Sequence, residues 1–260
     1  MPMMMRAKYA KEGMMKYLSH LDLVRLFERA FRRAEIPLAF SQGFNPHPIV
    51  SFASPLSIGV SSEAEYFDLV LSKAMHEAEF VRKLNHTLPE GIRLVTAKYH
   101  EIEKVPSLMK ESALISYRVE GYADHTLETN QLESSLDIFL DGEEIWIDKI
   151  IKKNKYKHRR QQKITRINIR PLIHALAIQS VRDNYMSAEI QIHNLDSGTV
   201  KPLIVFREWF HSANLQIDLD QLSIHRLEVF RINEQAEYEP ILPSDSSMVK
   251  ELNSGKRDVE

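Results

Sequence analysis

Cysteine is absent from the 260 residues, which excludes disulfides, thiolate nucleophiles and Cys-ligated zinc or iron–sulfur clusters. Any radical or redox cofactor is therefore expected on a partner, and this chain is expected to bind none. Glycine is scarce, 8 residues in all, and none falls into a P-loop or Rossmann pattern. Neither His-Glu-x-x-His nor Gly-x-Ser-x-Gly occurs. No apolar run approaches the thickness of a bilayer, and the first residues lack the basic-then-apolar pattern of a signal peptide. The expectation is a cytoplasmic protein without membrane contact. Charge of one sign is not in excess either: the formal net charge is −2, so electrostatic arguments rest on where charges sit. With 43% hydrophobic and 27% charged residues, the chain can bury the core of one large domain or of two domains.

Residues 6–11 and 14–18 read as short extended segments around Glu12-Gly13. A helix follows: Ser19 and Asp22 form a capping pattern, Leu23, Phe27, Ala30, Phe31 and Ala34 recur at helical spacing, and Pro37 stops it. Strands at 49–52 and 65–71, a helix at 74–88 and a strand at 92–99 complete a βαββαβ order. After a polar linker, 101–112, the pattern resumes with strand 113–119, helix 127–140, strands 144–151, 164–169 and 185–193, helix 202–210 and strand 224–230. The expected fold class is α+β: two tandem ferredoxin-like units with antiparallel sheets at 1–100 and 113–232. A disordered tail is expected over 233–260.

Three segments carry candidate chemistry. On the first helix Arg25, Arg29, Arg32 and Arg33 gather opposite the apolar stripe, and guanidinium forks suit bidentate phosphate recognition along an RNA backbone. The same arginines fit a merely solvated face with Glu28 and Glu35 as partners. The second segment, Ser41 to Pro48, is stiffened by Pro46 and Pro48. It offers Ser41, Gly43, Phe44, Asn45 and His47 as a ligand-binding loop, with Phe40 and Phe44 as flat faces for a base. A plain structural turn is the alternative. The third segment, 149–163, is a long basic loop with Lys152, Lys153, Lys155, Lys157, Arg159 and Arg160. Neutralising phosphates there would make binding fall steeply with salt; a solubilising loop is the alternative. His20, Asp22 and His47 are the candidates for acid–base work, but Asp22 already has a capping role. No catalytic set and no metal site is expected.

The run from Tyr17 to Leu71 resembles a bacterial family, the radical-SAM-linked proteins, a domain of unknown function found alone or fused behind cobalamin-binding radical SAM enzymes. The resemblance rests on Ser19-His-Leu-Asp-Leu23, Arg25, Arg29-Ala30, Arg32-Arg33-Ala34, Pro37, Ser41, Gly43-Phe-Asn-Pro-His-Pro48, Ser51-Phe52, Pro55-Leu56, Gly59-Val60 and Ser62-x-x-Glu65. Fainter echoes lie at Leu88-Pro89-x-Gly91, Ile169-Arg-Pro-Leu-Ile173 and Gly198-Thr-Val-x-Pro202. Asn168 departs from the family pattern, which favours an acid there. The resemblance implies an accessory protein that binds or presents an RNA or ribosome-linked substrate to a radical SAM enzyme. That partner would hold the cluster and a cobalamin. Two alternatives stand beside it: a metal-independent RNA-processing enzyme of tandem ferredoxin-like fold with His20 or His47 as its histidine, and a purely protein-binding docking module.

Overall fold

The computed structural model describes residues 3–101, 106–152, 162–195 and 198–242. Along the first half run β1 (Met3–Lys11), α1 (His20–Arg33), β2 (Val50–Phe52), β3 (Ser61–Leu71), α2 (Glu77–Thr87), β4 (Ile92–Glu101) and a short α3 (Leu108–Glu111). There follow β5 (Leu114–Tyr122), α4 (Thr129–Asp141), β6 (Trp146–Lys152), β7 (Gln162–Asn168), β8 (Ile173–Arg182), β9 (Tyr185–His193), α5 (Pro202–Ser212), β10 (Ser223–Ile232) and β11 (Tyr238–Pro240). The protein is mixed α+β, with mostly antiparallel strands and few helices. It divides into two compact units, residues 1–116 with 224–260, and residues 117–223.

In the first unit β1 lies between β4 and β3, antiparallel to both, and β2 adds antiparallel to β3. Strand β10 joins β3 in parallel over His225↔Ser61 and Arg226↔Ser62, and β11 pairs back on β10. Successive side chains of a strand point to opposite faces. Met5, Ala7 and Tyr9 therefore enter one core with Phe27, Phe31, Phe67, Phe80 and Leu84. The rings interlock: Phe27 is 4.9 Å from Tyr9 and 5.1 Å from Phe67 between centroids. Arg6 and Lys8, alternating with those residues, are buried on the other face.

The second unit carries β5, β9 and β8 as neighbours, with β8 and β9 antiparallel, and a separate hairpin of β6 and β7. Its helices bury Leu132, Leu136 and Phe139 from α4 and Val205, Phe206, Trp209 and Phe210 from α5. The Trp209 indole donates to Ser135 Oγ at 3.1 Å, so the ring is buried without an orphaned N–H.

Four expectations change. Residues 13–17 form a 3₁₀ turn, not an extended segment. The segment 101–112 is not only a linker, because α3 lies in it and delivers the buried Glu111 carboxylate. Strand β8 was not anticipated; its exposed positions mask the period. Residues 233–242 are not a disordered tail: β11 pairs with β10, and Ile241 and Leu242 are each 1% exposed. The remainder of that tail, 243–260, lies outside the described residues.

Candidate nucleic-acid interface

The first helix is fixed at both ends by its own sequence. Ser19 Oγ accepts from the Asp22 backbone N–H at 3.2 Å and meets the Asp22 carboxylate at 2.6 Å. At the other end Glu35 takes φ +52°, and the Ile36 N–H returns to the Phe31 carbonyl at 3.1 Å, closing the last turn before Pro37. Leu23, Phe27, Ala30 and Phe31 are buried, which turns the opposite side of the helix to solvent.

On that side Arg25, Arg29, Arg32 and Arg33 are all exposed. They differ in how far they are committed. Arg33 donates to the Thr87 carbonyl at 2.7 Å, tying α1 to the end of α2. Arg25 stands 3.7 Å from Asp22, an exposed pair of small worth. The Arg29 and Arg32 guanidinium groups have no ion-pair or hydrogen-bond partner among the described residues, and neither Glu28 nor Glu35 neutralises them. The free cationic face is thus Arg29 and Arg32, with Arg25 beside them.

The loop after the helix is rigid at its base and open at its tip. Ser41 N–H donates to the His47 carbonyl at 2.9 Å, the His47 N–H donates to Ser41 Oγ at 3.1 Å, and Phe40 bridges to Pro48. Gly43 adopts φ +128°, a backbone that a side chain would strain. Phe44 is fully exposed and Phe40 about half exposed. Phe44 thus stands as a bare aromatic face on a fixed base.

His20 and His47 are both exposed, and the His20 ring packs edge-on against Phe52 at 5.8 Å. Asp22 is held by the cap. Among the described residues no group of three or more His, Asp or Glu side chains could hold a metal ion.

Of the basic loop, Lys153, Lys155, Lys157, Arg159 and Arg160 lie outside the described residues, as does the Lys152 side chain. The hairpin of β6 and β7 pairs from Trp146↔Asn168 to Lys152↔Gln162. Its exposed side carries Arg166 over the Trp146 ring at 5.5 Å. Asn168 Oδ1 accepts from the Ile145 and Arg170 N–H groups, each at 3.0 Å. Those bonds need only an acceptor oxygen, so an amide here serves where a carboxylate would. Arg170 in turn donates to the Leu140 carbonyl at 3.0 Å, at the end of α4.

Two features of the first unit had no local sequence signal. One is a buried ionic network. Arg6 grips Asp68 with a fork of 2.7 and 2.9 Å and also bonds Glu111; Lys8 donates to Glu228 at 2.6 Å; Arg226 donates to Glu65 at 2.7 Å. The Tyr66 hydroxyl donates to Glu228 at 2.5 Å, and burial, then the Glu228 charge, pushes that phenol well up. His100 is held below its usual range by burial and then by Arg6, and its Nε2 is buried without a partner. The other is a cleft of about 430 Å³ lined by Glu12, Met14, Lys16, Tyr17, Ser61 and His225, in which Ser61 Oγ lies 2.8 Å from His225 Nδ1. Both features join residues far apart in sequence, and in a strand reading of 6–11 Arg6 and Lys8 look like ordinary solvent-facing alternation.

Residues 4–202 match the model of a family described as an uncharacterized protein conserved in bacteria (DUF2344). No curated protein matches the chain. Among solved structures, a Cbf5-Nop10-Gar1 complex shares 7% identity over 86% of this chain and 48% of that one, with a TM-score of 0.44. An H/ACA RNP bound to a substrate RNA containing 2'-deoxyuridine shares 8% over 86% and 47%, with a TM-score of 0.42. An unknown protein from Galdieria sulphuraria shares 9% over 86% and 98%, with a TM-score of 0.24. The chain spans about half the length of the first two chains.

Proposed function

This chain belongs to the uncharacterized bacterial family whose model spans residues 4–202, and we propose for it the role of a cytoplasmic, non-catalytic RNA-binding accessory protein. It presents an RNA or ribosome-linked substrate to a radical SAM enzyme, which holds the cluster and a cobalamin. The observation that carries the RNA half is the outer face of α1, where Arg29 and Arg32 stand exposed without an acidic partner among the described residues. An unneutralised pair of guanidinium groups one turn apart suits successive phosphates of a strand. The exposed Phe44, on its fixed loop, offers the flat surface on which an unpaired base stacks. The radical SAM partner rests on the residues from Tyr17 to Leu71 that resemble radical-SAM-linked proteins.

The finer fold reading belongs to the same proposal. The run β1-α1-β2-β3-α2-β4, with β4, β1, β3 and β2 as antiparallel neighbours, supports a ferredoxin-like first unit. The neighbours β5, β9 and β8 with α4 and α5 support a second, into which the β6–β7 hairpin is inserted.

The test is a titration of labelled single-stranded RNA at several salt concentrations. Tight, salt-dependent binding that is lost when Arg25, Arg29 and Arg32 are replaced by Glu is the expected result. Absence of binding at low salt, or binding untouched by the replacement, overturns the RNA half. Co-purification of the chain with a radical SAM enzyme encoded by the same bacterium tests the other half.

A second reading, RNA processing by this chain itself, draws on the Ser61–His225 pair in its cleft, a hydroxyl and an imidazole close enough to pass a proton. His225→Ala separates the readings: it abolishes any RNA cleavage in this second reading and leaves RNA affinity unchanged in the first.

A further inference from the structure

Strands β8 and β9 bring two histidines face to face. His174 Nδ1 lies 3.3 Å from His193 Nε2, with ring centroids 4.9 Å apart and planes at 78°. The backbone builds this meeting. The register passes from Ile173↔Ile192 to Ala175↔Gln191, so His174 is the extra residue of a β-bulge. A bulge re-aims the side chain it carries, and bulges gather beside sites. The other strand is held as well, since Thr199 Oγ1 donates to the His193 carbonyl at 3.1 Å.

We propose that His174 and His193 form a two-histidine binding site for a divalent transition metal ion of the zinc, nickel or copper class. The spacing of the two nitrogens already suits an ion. A tetrahedral ion about 2.0–2.1 Å from each of two imidazole nitrogens holds those nitrogens about 3.3 Å apart, which is the separation the bulge sets. Imidazole is the side chain that these three ions share as a ligand, whereas magnesium and calcium prefer oxygen. Partial burial holds both imidazoles below their usual range, and for His193 the neighbouring His174 adds to it. Without metal the two facing nitrogens share one proton in a hydrogen bond. On binding, the donating ring moves its proton to its far nitrogen, and both facing lone pairs turn to the ion. His174 is exposed and His193 partly so, and an ion reaches the pair from solvent.

The experiment uses the tag-free full chain and zinc chloride alone, followed by calorimetric titration at pH 8. One equivalent is expected to bind, with affinity falling at least tenfold in His174→Gln and again in His193→Gln. His125→Gln serves as an exposed-histidine control that changes nothing. Loading the unaltered chain with one equivalent of copper(II) is expected to give nitrogen couplings from two imidazoles in pulsed electron paramagnetic resonance. This readout stands even if a variant misfolds. No zinc uptake at millimolar concentration, uptake that persists in the double variant, or coupling to a single imidazole each overturns the site.

Discussion

Lys8 and Glu228 are 220 positions apart in sequence and 2.6 Å apart in the protein, each side chain 4% exposed. Taking both out of water is costly, and the pair holds because Tyr66 and the Val229 N–H supply further hydrogen bonds to the same carboxylate. Removing one partner leaves the other buried and charged. Lys8→Met is accordingly expected to cost about 3–5 kcal/mol in urea unfolding, whereas Lys8→Met combined with Glu228→Gln recovers most of the loss. Equal losses in the single and double variants would show that the charge is not what matters. His100 gives a second residue-scale expectation, this one in pH. Arg6, Asp68, Glu111 and Arg231 surround it, and burial, then Arg6, keeps its folded pKa below the ordinary value. The unfolded chain therefore binds the proton more readily, so the stability His100 contributes is present above about pH 6.5 and is lost as the pH falls from there through the lowered folded value. The melting temperature of the native sequence should fall more between pH 7.5 and 5.5 than that of His100→Gln. The difference between the two curves isolates His100 from the other histidines.

At the scale of elements, α1 was the most legible part of the chain, because everything that makes it a helix is local. Ser19, the Leu23 to Ala34 stripe and Pro37 lie within one run, and the helix spans His20–Arg33 between the cap and the turn they imply. Its dependence on the cap is testable: Ser19→Ala removes the acceptor of the Asp22 N–H and is expected to cost about 0.5–2 kcal/mol, with the loss read as a lower urea midpoint at unchanged slope. The outward arginines were legible for the same reason, since a helix repeats every 3.6 residues and a stripe implies its opposite. What the helical period does not reveal is which arginine is already occupied. Arg33 reaches Thr87, a contact 54 residues away that only the packing of α1 on α2 creates. The sequence reading of residues 6–11 as an extended segment does not reveal that Arg6 and Lys8, which alternate with apolar residues, are buried. The partners that bury them, Asp68, Glu111 and Glu228, come from β3, α3 and β10. The His174 bulge was equally hidden, since one residue too many in a strand is visible only against the register of its neighbour.

At the scale of the whole molecule, the expected boundary between two sequential halves fails at the C-terminal side. The first unit takes its last strands from residues 224 onward, and those strands carry charges that its own first strands need. Glu65 pairs with Arg226, Lys8 and Tyr66 with Glu228, and Ser61 with His225. A chain cut to 1–112 would keep the sheet of β4, β1 and β3 but leave Lys8 and Glu65 without these partners. The fragment loses these ion pairs together with the cover that the C-terminal strands put over Lys8 and Glu65, against a whole stability of only about 5–15 kcal/mol for a domain. Composition and local pattern could not show this, because a polar stretch with Pro240 and Pro243 reads as tail unless one knows that β10 offers it an edge. The expected outcome is that the 1–112 fragment gives no cooperative thermal transition. Within the full chain, truncation after Asn233 removes β11 together with the buried Ile241 and Leu242, whereas truncation after Leu242 keeps them. The first truncation should therefore melt several degrees below the second, each missing apolar side chain being worth about 1.5–3 kcal/mol of burial. Equal melting temperatures for the two truncations, or a cooperative 1–112 fragment, would mean that the first unit is complete without its C-terminal strands and that the sequential boundary was right.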